Sequence, residues 1–258
     1  MSNNIDIYYE REQNKIGLEN YVLDKTNVYD IAIDKLIDEL KESIKTSKKE
    51  IDDLSLPQKE SNVSNIVLEE QSEDYVLDKD YQKYLTILDI IYNEEQLLSL
   101  VEMKIIYAFK SLEINIKKLL KAAFSLKSTN DFYKWENLVT FLKDKNINIK
   151  TEFKSYEEIT QLKLVNNDIK HGEHCKKSLN SIKEFKRADD FTYYNLDNFY
   201  KRIKKIPTTF LEELVTAIYN ELYVFDENKI EKIANSFAVR MNEEDAKKLT
   251  QKINEKYD

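Results

Sequence analysis

Two glycines, two prolines and a single cysteine are spread over 258 residues, and each scarcity excludes something. Tight turns draw on glycine for positive φ and on proline for a preset φ, so sheet folds and loop-borne sites generally spend more of both. The isolated Gly17 and Gly172 cannot build a P-loop or a dinucleotide fingerprint. Cys175 alone rules out an internal disulfide framework. No run approaches the roughly 18 apolar residues of a spanning helix, which predicts no membrane insertion. The opening MSNNIDIYYEREQ has neither a basic region followed by an apolar stretch nor a cleavage site, so a cytoplasmic location is the expectation.

What remains is a charged, helix-compatible chain, 41% hydrophobic and 34% charged, long enough to bury a sizeable core. The fold class expected is all-α. Tyr, Phe and Ile are plentiful and would alone favour strands, but the 3.6-residue spacing below outweighs that preference. The net charge of −8 argues against a general nucleic-acid coat protein, yet it is unevenly spread. Residues 1–80 hold 20 acidic and 10 basic side chains, which leaves 81–258 at +2, and 143–205 hold 15 basic against 10 acidic. The acidic and basic regions are therefore different, and the total hides a candidate phosphate-facing surface.

Along the chain, the first 25 residues lack a clean period and read as a short arm. Val28, Ile31, Ile33, Leu36, Ile37 and Leu40 predict an amphipathic helix over 27–49. DDLSLPQKESNVSN, with Pro57, reads as a linker that extends to about Glu73. The string YVLDK occurs at Tyr21–Lys25 and Tyr75–Lys79, a repeat short enough to arise from composition alone. Helices are predicted over 81–92 and 95–124, the second with Leu98, Val101, Ile105, Phe109, Leu112, Ile116 and Leu119 at steps of three and four. Ser128 to Asp131 supply a capping-box-like start for a helix carrying Trp135, Leu138 and Leu142 that stops near Asn146. Ser155 with Glu158 opens a further helix that ends at Gly172. Later helices are expected over 179–187, 196–206, 209–225 with Thr209 and Glu212 as capping box, 227–239 and 243–256.

Chemistry concentrates at 155–175. Carboxylates are too common in this chain for their proximity in sequence to mark a general acid and base, and no Ser or Cys is marked as a nucleophile. His171 and His174, the only histidines, adjoin Cys175, a spacing that could ligate zinc, but no second His or Cys pair completes a tetrahedral set; no metal or other cofactor is expected. With Leu162 at zero and about 100° per residue, Ile159, Val165 and Ile169 stay within about 60°, while Lys163, Asn167, Lys170 and His171 fall between about 80° and 180°. One face packs, and the flank beside it carries an amide, two ammonium groups and an imidazole. That set suits a phosphodiester: Lys neutralises oxygens, Asn orients by hydrogen bonds, and His moves protons near neutral pH. The competing reading is structural, with solvated lysines and an imidazole that satisfies the last helical carbonyls.

The run ITQLKLVNNDIKHG, preceded by FYKWENLVTFLKDKNINI, resembles the signature helix of the HEPN family, the higher eukaryotes and prokaryotes nucleotide-binding proteins. The resemblance covers about 95–225. It implies a helical bundle over 81–258, with an acidic, loosely attached arm, helix and linker over 1–80 outside it. It also implies a metal-independent endoribonuclease of a prokaryotic toxin–antitoxin or phage-defence system, acting on RNA or nucleotide as a homodimer, with an antitoxin or defence protein as a further partner. The family motif is Arg, a polar residue, then His. His171 fills the His position and Asn167 the polar one, which places Asn166 where Arg is expected, so Asn166→Arg would restore the cation. The segment Asn167-x-x-Lys170-His171-Gly172 is similar to a variant of that motif. The resemblance thus makes His171, Asn167 and Lys170 the catalytic candidates and Lys163, Asn166 and His174 the substrate-binding ones. The alternatives are a non-catalytic HEPN-like module that binds RNA, nucleotide or protein, and a helical interaction or scaffolding protein.

Overall fold

The computed structural model describes residues 2–21, 28–55, 72–172 and 177–257. Among them the fold is all-α, with no strand. The helices are α1 (Ser2–Glu19), α2 (Val28–Ser55), α3 (Ser72–Ala123), α4 (Trp135–Asp144), α5 (Ile149–Glu152), α6 (Tyr156–His171), α7 (Tyr193–Ile203), α8 (Ile206–Tyr223), α9 (Glu227–Ala238) and α10 (Glu243–Asn254). No helix among the described residues is long and apolar enough to cross a membrane.

The chain divides into two compact units. The first comprises Met1–Thr26, Leu112–Ile159 and Lys205–Asp258. Its core collects Leu112, Ile116, Leu119 and Leu120 from the end of α3, Leu138 and Leu142 from α4, and Phe210, Leu214 and Ile218 from α8. The residues expected to form an irregular arm are α1, which packs on α8. Leu18 is buried there, and the Tyr21 hydroxyl donates to the Asn115 carbonyl at 2.7 Å. α4 begins after a 3-10 turn over Asn130–Tyr133, and Asn146, at φ +58°, ends that stretch where expected. The predicted capping box at Thr209 is absent: α8 starts at Ile206 with Pro207 in its first turn, so Thr209 lies inside the helix and its hydroxyl donates back to the Lys205 carbonyl.

α9 and α10 pair with each other, yet neither buries a residue. Asp226 and Asn242 accept the N–H groups of Lys229 and Asp245 as N-caps. The Lys229 ammonium donates to the carbonyls of Asn220, Glu221 and Val224 at the C-terminus of α8. A cation is favourable at that end of a helix dipole.

The second unit comprises Asn27–Ser111 and Thr160–Lys204. The expected break between two helices near Asn93 does not occur, because α3 runs unbroken for 52 residues. Asn93, Glu94 and Glu95 include neither Gly nor Pro, so nothing stops it. α2 lies antiparallel along α3: Asp34 meets Lys104 at 2.5 Å, Ser43 meets Asn93 at 3.1 Å, Lys48 meets Glu94 at 3.1 Å and Ser55 meets Lys83 at 3.1 Å. Ile33, Ile37 and Ile44 are its buried stripe. The expectation of a loosely attached region ending at residue 80 is therefore corrected. α1 and α2 are both integrated by buried apolar residues, and position 80 falls inside α3. The expected linker is helical up to Ser55 and again from Ser72, and its centre lies outside the described residues. So does most of the first YVLDK copy. The helix expected over 179–187 is two 3-10 turns, Lys177–Ser181 and Lys183–Phe185, pinned by Leu179, Ile182 and Phe185.

A polar network sits among these apolar residues. Lys104 is 6% exposed, its ammonium 4.4 Å from the centroid of the Tyr200 ring, and the Tyr200 hydroxyl donates to both oxygens of Asp30. Asp34→Ala would leave that ammonium buried without its carboxylate, an expected cost of about 1–3 kcal/mol. Lys104→Met keeps a stem of similar length and returns an exposed carboxylate to water, so it is expected to cost less than about 1 kcal/mol. Urea denaturation of the two variants checks this, and equal losses would assign the effect to packing rather than to the buried charge.

Candidate functional site: the exposed flank of α6

The start of α6 is held from α8. Glu213 accepts the backbone N–H groups of Lys154 and Ser155 at 3.1 and 3.3 Å and also the Ser155 hydroxyl. The sequence pattern predicts Ser155 as the cap of this helix. Ser155 is buried and donates to Glu213 instead, and a carboxylate suits the positive end of the helix dipole better than a neutral hydroxyl.

Beyond that start the helix sorts its side chains as its period dictates. Leu162 and Val165 are fully buried and Ile169 half-buried. Asn167, Lys170 and His171 are exposed, and Lys163 is half-buried. Asn167 stands three and four residues before Lys170 and His171, the spacing that makes helix surface neighbours. Lys170 and His171 occupy the last turn, where partial negative charge on the final carbonyls favours cations. The Gly172 N–H bonds the Asp168 carbonyl at 2.7 Å, so this end is closed by backbone and not by the imidazole. An ammonium, an imidazole and a carboxamide thus share one solvent-facing patch able to hold a phosphate and move a proton.

Asn166 does not share it. At about 40° from Leu162 it points to the packed side, and it is only 1% exposed. Its amide nitrogen donates to the Asn167 carboxamide oxygen at 3.2 Å, while its own oxygen is buried without a hydrogen-bond partner. His174, together with Cys175, lies outside the described residues. Among the described residues no group of three His, Cys, Asp or Glu side chains could hold a metal ion.

A guanidinium does reach α6, from a position that no motif marks. Arg202 on α7 donates to Gln161 at 2.9 Å and to both oxygens of Glu184 at 2.8 and 3.0 Å. Its plane is thereby committed to a bidentate pair and braces α6 against α7. Burial works to raise the pKa of Glu184, but the hydrogen bonds and charge of Arg202 outweigh it and hold the carboxyl below its ordinary 4.5. Because the folded value is the lower one, this pair stabilises fully above about pH 4.5, and its contribution is lost as pH falls through the depressed value. The stability deficit of Glu184→Gln, large at pH 7, is accordingly expected to shrink on acidification below pH 4.5. Denaturation midpoints of both proteins across pH 3–7 check this, and a deficit independent of pH would remove the ion-pair account.

Compared with known proteins, the chain matches no family model, no curated protein and no solved structure.

Proposed function

We propose that the protein is a HEPN-like, metal-independent endoribonuclease of a prokaryotic defence or toxin system, with RNA bound on the exposed flank of α6. The observation that supports this reading most is the joint exposure of Asn167, Lys170 and His171 beside a packed stripe. In the proposed step His171 takes the proton of a ribose 2′-hydroxyl as the oxygen attacks the adjacent phosphorus. The bond to the 5′-oxygen breaks, and an imidazolium returns a proton to that leaving oxygen. Lys170 offsets the charge that develops on the phosphoryl oxygens, and Asn167 orients them. The flank of a second copy, facing the first, supplies the other imidazole, so the active species is a homodimer.

One observation favours a second reading, a module that binds RNA without cutting it. The position at which the family carries its Arg is a buried Asn166, and the guanidinium of Arg202 is held by Glu184. Incubating the purified chain with total RNA in EDTA, beside His171→Ala, separates the two. Discrete fragments from the wild type alone, at a rate per chain that falls on dilution, support cleavage at a composite site. Retarded but intact RNA supports the module, and neither binding nor cleavage sinks both.

A further inference from the structure

The second unit holds a groove of about 950 Å³ between α2, α3 and the start of α7. Its floor is apolar, with Ile44 and Leu97 buried beneath it. One wall is a stripe of exposed ammonium groups on α2, Lys41, Lys45 and Lys49, at i, i+4 and i+8. The 1.5 Å rise per residue strings them over about 12 Å. Beside the Lys41 end of that stripe stand Tyr193 and Tyr194, ring centroids 5.5 Å apart and nearly perpendicular. Four carboxylates line the groove too: Glu94, paired with Lys48 at 3.1 Å, Asp197, paired with Lys201 at 2.6 Å and also near Lys41, and Asp52 and Glu95. Lys45 has a competing carboxylate in Glu42 at 3.4 Å, and Asp52, three residues after Lys49 on the same helix, lines the same groove.

Two features say what such a groove takes. Tyr194 is 77% exposed, a large aromatic ring left open to solvent at the edge of a cavity. The Tyr193 hydroxyl is shielded from water, with the Lys41 ammonium and the Asp197 carboxylate as its polar neighbours, and Lys41 stands 5.0 Å from the ring centroid. A flat ligand that stacks on Tyr194 and offers a polar edge to Tyr193 and Lys41 fits both, whereas an acyl chain would bring no polar group to this polar lining. Three ammonium groups in a row match a chain of phosphates better than a single one.

From this lining we infer that the groove binds a free nucleoside triphosphate, its base on Tyr194 and Tyr193 and its phosphates along Lys41, Lys45 and Lys49. The inference stands on the groove alone and adds a site separate from the flank of α6. Base–aromatic stacking contributes enough that its removal weakens binding by about tenfold to a hundredfold. The test is calorimetric titration of the full chain with each of the four ribonucleoside triphosphates, with inorganic triphosphate and with an RNA octamer. Tyr194→Ala, whose ring is exposed and supports no core, is expected to weaken nucleotide binding by that factor. Lys41→Gln/Lys49→Gln is expected to weaken nucleotide and inorganic triphosphate alike. His171→Ala separates the two sites, because loss of nucleotide binding in that variant and not in Tyr194→Ala would overturn the groove while leaving the α6 reading in place. Equal affinity for inorganic triphosphate and nucleotide, or Tyr194-dependent binding of the octamer without binding of free nucleotides, would overturn it as well.

Discussion

His171→Ala is expected to lower RNA cleavage by about 10² to 10⁴, the usual loss when a positioned proton-transfer group is removed, while leaving the folded protein nearly as stable as before. The imidazole is exposed at the last position of α6, and the helix end is closed by the Gly172 N–H, which the substitution does not touch. A substitution at such a place costs on the order of 1 kcal/mol or less. Cleavage assays and thermal melts on the same preparation check the pair of outcomes. An unfolded variant would make His171 a structural group, and cleavage at the wild-type rate would remove it from the mechanism. The sequence motif also invites Asn166→Arg as a way to restore the missing cation. The position is 1% exposed, so a guanidinium there would be forced into packed space, and the variant is expected to lose stability rather than gain activity.

Phe210→Ala is expected to cost about 3–5 kcal/mol, the range for truncating a fully buried aromatic side chain. Phe210 is 0% exposed, with Trp135 from α4 at 6.1 Å between ring centroids and Phe153, ahead of α6, at 5.3 Å. Removing the ring leaves a void against both. One turn further along α8 stands Glu213, which holds the start of α6, so the loss is also expected to loosen that anchor. Guanidinium denaturation measures the cost, with Phe237→Ala on α9, 42% exposed, as a companion expected to stay within about 0.5 kcal/mol of wild type. A Phe210→Ala loss below about 1 kcal/mol would mean that the core of this unit lies elsewhere.

Local periodicity made much of this visible in the sequence. The wheel drawn on Leu162 separates the packed stripe of α6 from Asn167, Lys170 and His171, and the same wheel places Asn166 on the packed side. The family resemblance makes Asn166 a substrate-facing position only because a motif records order along the chain and not azimuth around the helix. α1 escaped because its apolar residues do not keep to one face: Tyr8 and Tyr9 are 63% and 64% exposed, whereas Leu18 is buried. The attachment of α2 and the bracing of α6 by Arg202 escaped for another reason. Lys104 and Asp34 are 70 residues apart, and Arg202 and Gln161 are 41 apart, so their meeting is a property of tertiary structure with no local signature.

The pair formed by α9 and α10 contributes no buried residue, and what joins it to α8 includes the single ammonium of Lys229 on three carbonyls. Because none of its residues is fully buried, detaching it would expose less apolar surface than opening the core, so the free energy that keeps it docked is small beside that of the core. Its amides should then exchange with solvent through local opening and not through global unfolding. The last helices therefore act as an independently fraying cooperative unit, whose order at any moment reports on its own capping and not on the state of the rest of the fold.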